Sequence, residues 1–197
     1  KTMNESIYYN VDEIHQAIGN NVQIRFQYFQ WNVQKEMELR RDGAFYQISP
    51  WELMWDDENY YLVGYDAEAG KVKHYRVDKM LKIGLTTEKR EGRELFEKFD
   101  LADYAKKHFG MFDGDEQTIK LLCENYFAGV IIDRFGKDVS MRKVDDEYFS
   151  VNVDVAVSGQ FIGWIIALGS GVKIVEPQCV VEQMRKESER LMKQYSE

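Results

Sequence analysis

Between Lys71 and Lys82 the chain carries Lys71, Lys73, His74, Arg76, Lys79 and Lys82 against Asp78 alone, although the 197-residue sequence has a formal net charge of -8. This local reversal of sign follows directly on a row of tyrosines, Tyr60, Tyr61 and Tyr65. Ammonium and guanidinium groups grip oxyanions, and aromatic rings beside them can stack on flat rings. The combination suits an anion that carries bases, such as a nucleotide or a single nucleic-acid strand. Arg76 is the strongest candidate, because a planar guanidinium can hold a phosphate at two points where an ammonium cannot. His74 falls on the same face as Arg76 if the segment is extended, and Lys79 follows three residues later. A plainer reading exists for each residue. Arg76 beside Asp78 is also a ready structural ion pair, the lysines could blunt an exposed sheet edge, and Tyr28, Tyr61 and Tyr65 could simply fill a core.

Catalytic chemistry finds little support. No glycine-rich loop with a Lys-Ser/Thr pair joins a strand to a helix, no Gly-x-Ser-x-Gly elbow occurs, and the three histidines lie far apart. The acid pairs Asp56-Asp57 and Asp145-Asp146 sit in turn-like contexts, where solvated acids are commoner than catalytic dyads. Cys123 and Cys179 show neither metal-ligand nor disulfide spacing, which suits a reducing cytoplasm. No apolar run is long enough for a membrane span, and the acidic balance argues against broad binding to duplex nucleic acid.

The elements that must position the basic segment follow from the pattern. Asn10 and Glu13 have capping-box spacing ahead of an apolar stripe, Val11, Ile14 and Ile18, so a helix is expected from Asn10 to Gly19 with His15 on its surface. From Val22 the period becomes two, with Ile24, Phe26 and Tyr28 on one face. Strands are expected over 36–41 and 45–48, with Pro50 as a break. A hairpin follows, of two Tyr/Val-rich strands joined at Gly70. About five short strands after one helix imply a small, strongly bent sheet or barrel. Residues 84–116 look like a connector, with one short helix near 101–108 and an exposed His108. Beyond it the order is strand, helix, strand, strand, helix, strand, with a long charged helix at the end, which is a ferredoxin-like βαββαβ plan. The clearest stretch is 148–157, where Phe149, Val151, Val153, Val155 and Val157 alternate with Ser150, Asn152 and Asp154.

Several segments in order resemble the WYL domain: Phe26-Gln27-Tyr28, Ser49-Pro50-Trp51, Tyr60-Tyr61-Leu62 with Val63-Gly64-Tyr65-Asp66, and His74-Tyr75-Arg76-Val77-Asp78-Lys79. Tyr60 stands where that family has a Trp, and Lys79 where an Arg is usual. Ile132-Asp133-Arg134-Phe135-Gly136 and Ser158-Gly159-Gln160-Phe161-Ile162-Gly163-Trp164 resemble the extension that accompanies many WYL domains. The resemblance implies an α+β chain: a WYL domain over 1–88 with a small Sm/SH3-like barrel, a connector over 89–116 and a ferredoxin-like domain over 117–197. It further implies the effector-sensing part of a cytoplasmic transcriptional regulator, a homodimer without cofactor or metal. Operator DNA would be bound by a helix-turn-helix ahead of Lys1. On that resemblance His74, Arg76 and Lys79 would hold phosphate, Tyr28 and Tyr61 would orient bases, and Ser49 would donate a hydrogen bond. The alternative is a protein-interaction and dimerisation module with no small ligand.

Overall fold

The computed structural model describes residues 5–196. The chain divides after Phe99 into two compact units, each with its own antiparallel sheet and its own core.

The first unit opens with helix α1, Glu5–Asn20. Ile14 and Ala17 are fully buried on its inner face, with Val11 and Ile18 packed alongside. The helix begins before Asn10, so that residue is not its cap. Asn10 lies inside the helix, is only 3% exposed, and donates from its amide to the carbonyls of Val77 and Met80, both at 3.0 Å. The N-x-x-E spacing was a sound local signal, overridden because the preceding residues are helical too.

Strand β1, Val22–Trp31, is the centre of the sheet. It pairs antiparallel with β2, Met37–Leu39, and with β3, Tyr46–Asp56. It also pairs with β6, Met80–Lys89. Between them, β4, Asn59–Asp66, pairs with β3, and β5, Lys71–Arg76, pairs with β4. There are thus six strands in this sheet rather than about five. Pro50 does not end β3; it sits where the β3–β4 register shifts, at a bulge, the kind of position at which a strand tolerates the missing N–H. Opposite it, a Cβ on Gly64 would come within 2.6 Å of Ile48 and 2.9 Å of the Ser49 carbonyl, so β3 and β4 approach closely because that residue has no side chain.

The core of this unit is aromatic. Phe26 stacks on Tyr46 at 5.5 Å between ring centroids and meets the edges of Tyr28 and Tyr75. Phe26 is completely buried, so truncating it to alanine is expected to cost about 3–5 kcal/mol. Short helix α2, Arg93–Glu97, follows β6, and Phe96 stacks on Trp51 at 5.3 Å.

In the second unit, α3, Leu101–Lys107, is capped by Asp100, whose carboxylate accepts from the Asp103 N–H. His108, read from its lysine neighbours as exposed, is instead 5% exposed. It stacks on Tyr104 at 3.9 Å, with Nδ1 2.8 Å from the Tyr104 carbonyl. Then come β7, Asp115–Glu124, α4, Ala128–Phe135, and β8, Met141–Lys143. They are followed by β9, Tyr148–Val157, α5, Gly159–Ala167, β10, Val172–Glu176, and α6, Gln178–Gln194. Gly136 ends α4 at φ 93°, a conformation that favours glycine, and the Ser158 hydroxyl caps α5 by accepting from the Phe161 N–H. The strands lie in the order β10-β7-β9-β8. Ile119, Leu121, Phe149, Val151, Val153 and Val155 face the core with Ile131, Phe161 and Ile165 from the helices. The alternation of β9 therefore holds from Phe149 to Val155 and ends at Ala156, which is buried beside Val155.

Candidate functional site

The β4–β5 hairpin distributes its cations unequally. In register, Tyr61 lies opposite Arg76, Val63 opposite His74, and Gly64 opposite Lys73. Because neighbours alternate, Lys73 and Tyr75 point away from His74 and Arg76. Lys73 is committed to the buried Asp66, its Nζ donating at 2.7 Å. Burial by itself would raise the Asp66 carboxyl, but that bond, the Ala69 N–H at 3.1 Å and the Tyr75 hydroxyl at 3.3 Å outweigh it and hold the carboxyl below its usual range. The Tyr75 hydroxyl is pushed far up by burial and by the same carboxylate.

On the other face Arg76 is held as tightly. Its Nε donates to Asp78 Oδ1 at 3.0 Å, and its Nη2 to Asp78 Oδ2 and to Asn59 Oδ1, both at 2.8 Å. Three of the five guanidinium N–H groups are thereby used. The two on Nη1 make no hydrogen bond among the described residues, and the side chain is about a third exposed. The guanidinium is thus oriented by Asp78 and Asn59 while its Nη1 group stays uncommitted among the described residues.

Asp78 and Lys79 stand in the tight turn Val77–Lys79 between β5 and β6. Asn10 grips the carbonyls on either side of these two residues. The Lys79 ammonium lies 5.4 Å from the centroid of the Phe29 ring and 6.0 Å from that of Trp31. Burial, and after it the charge of Arg76, lower its pKa. A third cation closes the group: the Arg40 guanidinium sits 5.8 Å over the Tyr28 ring.

The tyrosines have structural employment here. Tyr28 meets Phe26, Tyr46 and Tyr75 edge-on, and its hydroxyl accepts from the Arg76 backbone N–H at 3.0 Å. Burial raises its pKa. Tyr61 is 6% exposed, with its ring edge against His74 at 6.0 Å, and burial raises its pKa too. Ser49 lies apart from this group; its buried hydroxyl accepts from the Glu91 N–H at 2.9 Å and fastens the chain beyond β6. The ring that stands open beside the cations is Trp31, 53% exposed. Trp55 and Tyr60, an exposed edge-to-face pair 4.7 Å apart, adjoin Asn59 at the tip of β3–β4.

The structure thus brings together Tyr28, Tyr61, His74, Arg76 and Lys79, and leaves out Ser49. Sequence reasoning offered the Arg76–Asp78 pair, which is present, and missed Asn10 as a tether, Asn59 as the second acceptor, and Arg40 and Trp31. Of those missed, Asn10 had a usable signal: a polar residue at i-4 and i-7 from the buried Ile14 and Ala17. The same unit also holds a cavity of about 500 Å³, lined by Asp66, Glu68, Glu88 and Glu91 against Arg41, a charge balance that repels phosphate. Among the described residues no group of three or more His, Cys, Asp or Glu could hold a metal ion, and no helix is long and apolar enough to cross a membrane.

A two-unit chain whose first sheet presents this hairpin is matched by known domain families. Residues 9–85 match the WYL domain. Residues 115–192 match the WCX domain, so matches to these two domains follow one another along the chain. Among solved structures it is similar to proteasome accessory factor B/C (PafBC) of Arthrobacter aurescens, with 18% identity and a TM-score of 0.45. That match covers 100% of this chain and 29% of the other, and at such a score it carries no weight for function. No curated protein matches the sequence.

Proposed function

We propose that the chain is the sensing part of a transcriptional regulator, and that its first unit binds a nucleotide or a short nucleic-acid single strand. The pairing of a WYL with a WCX domain supports the class. The observation that carries the ligand is the partly exposed Arg76 guanidinium, fixed by Asp78 and Asn59 with Nη1 uncommitted among the described residues, beside Lys79 and the exposed ring of Trp31. Phosphate would take the Nη1 edge and the Lys79 ammonium, and a base would stack on Trp31. His74 lies on the same strand face as Arg76 and would border the ligand there. Tyr28 belongs to the framework of the site, Tyr61 backs Arg76, and Ser49 stands outside it.

The same proposal takes the β6–β1 pairing as part of an Sm-like barrel and the order β10-β7-β9-β8 as a ferredoxin-like domain. It also includes a homodimer, and operator DNA bound by a separate domain. A second reading has its own support. In register, Phe29 and Trp31 face Leu39 and Met37, and three of these four residues are exposed, as a protein-docking edge would be.

Fluorescence anisotropy of a short labelled single strand tests the choice. Saturable binding that weakens steeply with salt and is lost in Trp31→Ala and Arg76→Ala supports the ligand site. A stable dimer with no such binding would favour the docking edge.

A further inference from the structure

The second unit carries cations in a different setting. Both α4 and α5 pack on one face of its sheet through Ile131, Phe161 and Ile165, and the other face is polar. On that face β9 presents Ser150 and Asn152, two residues apart and therefore side by side. Lys120 on β7 lies directly opposite Asn152, and Arg142 on β8 directly opposite Ser150. The two cations therefore flank β9 from its two neighbouring strands, offset by one pleat. With Ser140 they line a depression of about 160 Å³.

Its contents decide what it could take. Two cations, two hydroxyls and a carboxamide supply donors on every side. The negative groups nearby are already engaged: Glu176 with Lys120 at 3.3 Å, and Asp154 with the Thr118 hydroxyl at 2.6 Å. The Lys120–Glu176 pair is largely exposed, a setting in which ion pairs are weak enough to exchange for a better partner. Arg142 is exposed and has no ion pair among the described residues. Volume then limits the ligand. The depression has room for about five waters at ~30 Å³ each, well under the roughly 300–1,000 Å³ of sites for larger ligands. No aromatic ring lines it, so it offers a base nothing to stack on.

We propose that Lys120, Arg142, Ser150 and Asn152 form a binding site for a single tetrahedral oxyanion: inorganic phosphate or the terminal phosphate of a small monoester. Lys120 and Arg142 supply the charge, while the Ser150 hydroxyl and the Asn152 carboxamide donate from beneath.

Amide NMR of the whole 197-residue chain tests this, with inorganic phosphate titrated against sodium chloride at matched ionic strength and glycerol 3-phosphate in a parallel titration. Saturable shifts centred on Arg142, Ser150 and Asn152, with affinity falling at least tenfold in Arg142→Gln and more modestly in Ser150→Ala, are expected. Tighter binding of the monoester would identify a metabolite phosphate, and equal binding would identify the free ion. Shifts reproduced by chloride, or unaltered in Arg142→Gln, would overturn the site. Shifts centred on Arg76 and Lys79 alone would assign phosphate to the first unit and overturn it equally.

Discussion

Arg76 and Arg142 are both strand arginines of an acidic chain, but they are opposite kinds of cation. Arg76 is half-buried, spends three N–H groups on Asp78 and Asn59, and has its backbone N–H bound by Tyr28. Arg142 is exposed over a row of small polar side chains. The first is preorganised and half-neutralised; the second is available and loosely placed. Preorganisation lowers the ordering cost of binding, whereas availability leaves the full charge for the ligand. The first arrangement suits a specific effector, and the second suits a small ion held mainly by charge.

That contrast breaks most easily at the framework. Asn10→Ala removes two buried hydrogen bonds to the Val77 and Met80 carbonyls, so denaturant titration should show a loss of about 1–3 kcal/mol. If the loss is near zero, the turn carrying Asp78 and Lys79 is not held by the helix.

Arg76→Ala should reduce affinity for a labelled single strand tenfold or more, since hydrogen bonds to charged groups are worth about 1.5–3 kcal/mol. Arg76→Lys should restore only part of it. The exposed half of the Arg76–Asp78 pair limits its contribution to stability to about 1 kcal/mol. A melting-point loss large enough to explain the binding defect would make Arg76 purely structural. Asp78→Asn sharpens the comparison, because it makes Arg76 more like Arg142. Affinity should rise several-fold at low salt while stability falls slightly. Weaker binding would mean that orientation matters more than charge.

Asp66 gives a pH signature to the hairpin. Its carboxyl is held below the usual carboxylate range, so its contribution to stability is fully present above the unfolded value of about 3.9 and is lost as pH falls through its lower folded value. The stability gap between the parent chain and Asp66→Asn should therefore be constant above that range and shrink below it, as read by urea titrations across the acid limb. The smallest effect is expected on the second sheet: Arg142→Gln should change stability by no more than about 0.5 kcal/mol, as for other exposed substitutions.

The second sheet was the more legible one because its pattern is local. Phe149 to Val155 alternate strictly, and one buried face is all that β9 requires. The central hairpin was equally plain, with Gly70 at φ 65° in its turn. Strand β6 had no such signature: Gly84 and a run of charges resemble a connector, and its strand character comes from pairing with β1 more than fifty residues earlier. His108 is a different case: its lysine neighbours suggest exposure, but its ring stacks on Tyr104, four residues back along α3. In the site, the basic run located Arg76 and Lys79. Asp78, two residues from Arg76, was legible as its partner, whereas Asn59 and the open ring of Trp31 depend on which strands meet and carry no local pattern.

The Asn10 carboxamide has a mechanical meaning. It bridges two carbonyls that bracket the acid and the lysine of the turn, so α1 and the Asp78–Lys79 segment move as one piece. A ligand that displaces Lys79 by part of an ångström must either drag the helix or break both bonds. The helix works as a pointer fixed to the turn. By linkage, whatever force biases the pointer also retunes the grip below it, by the same free energy in both directions.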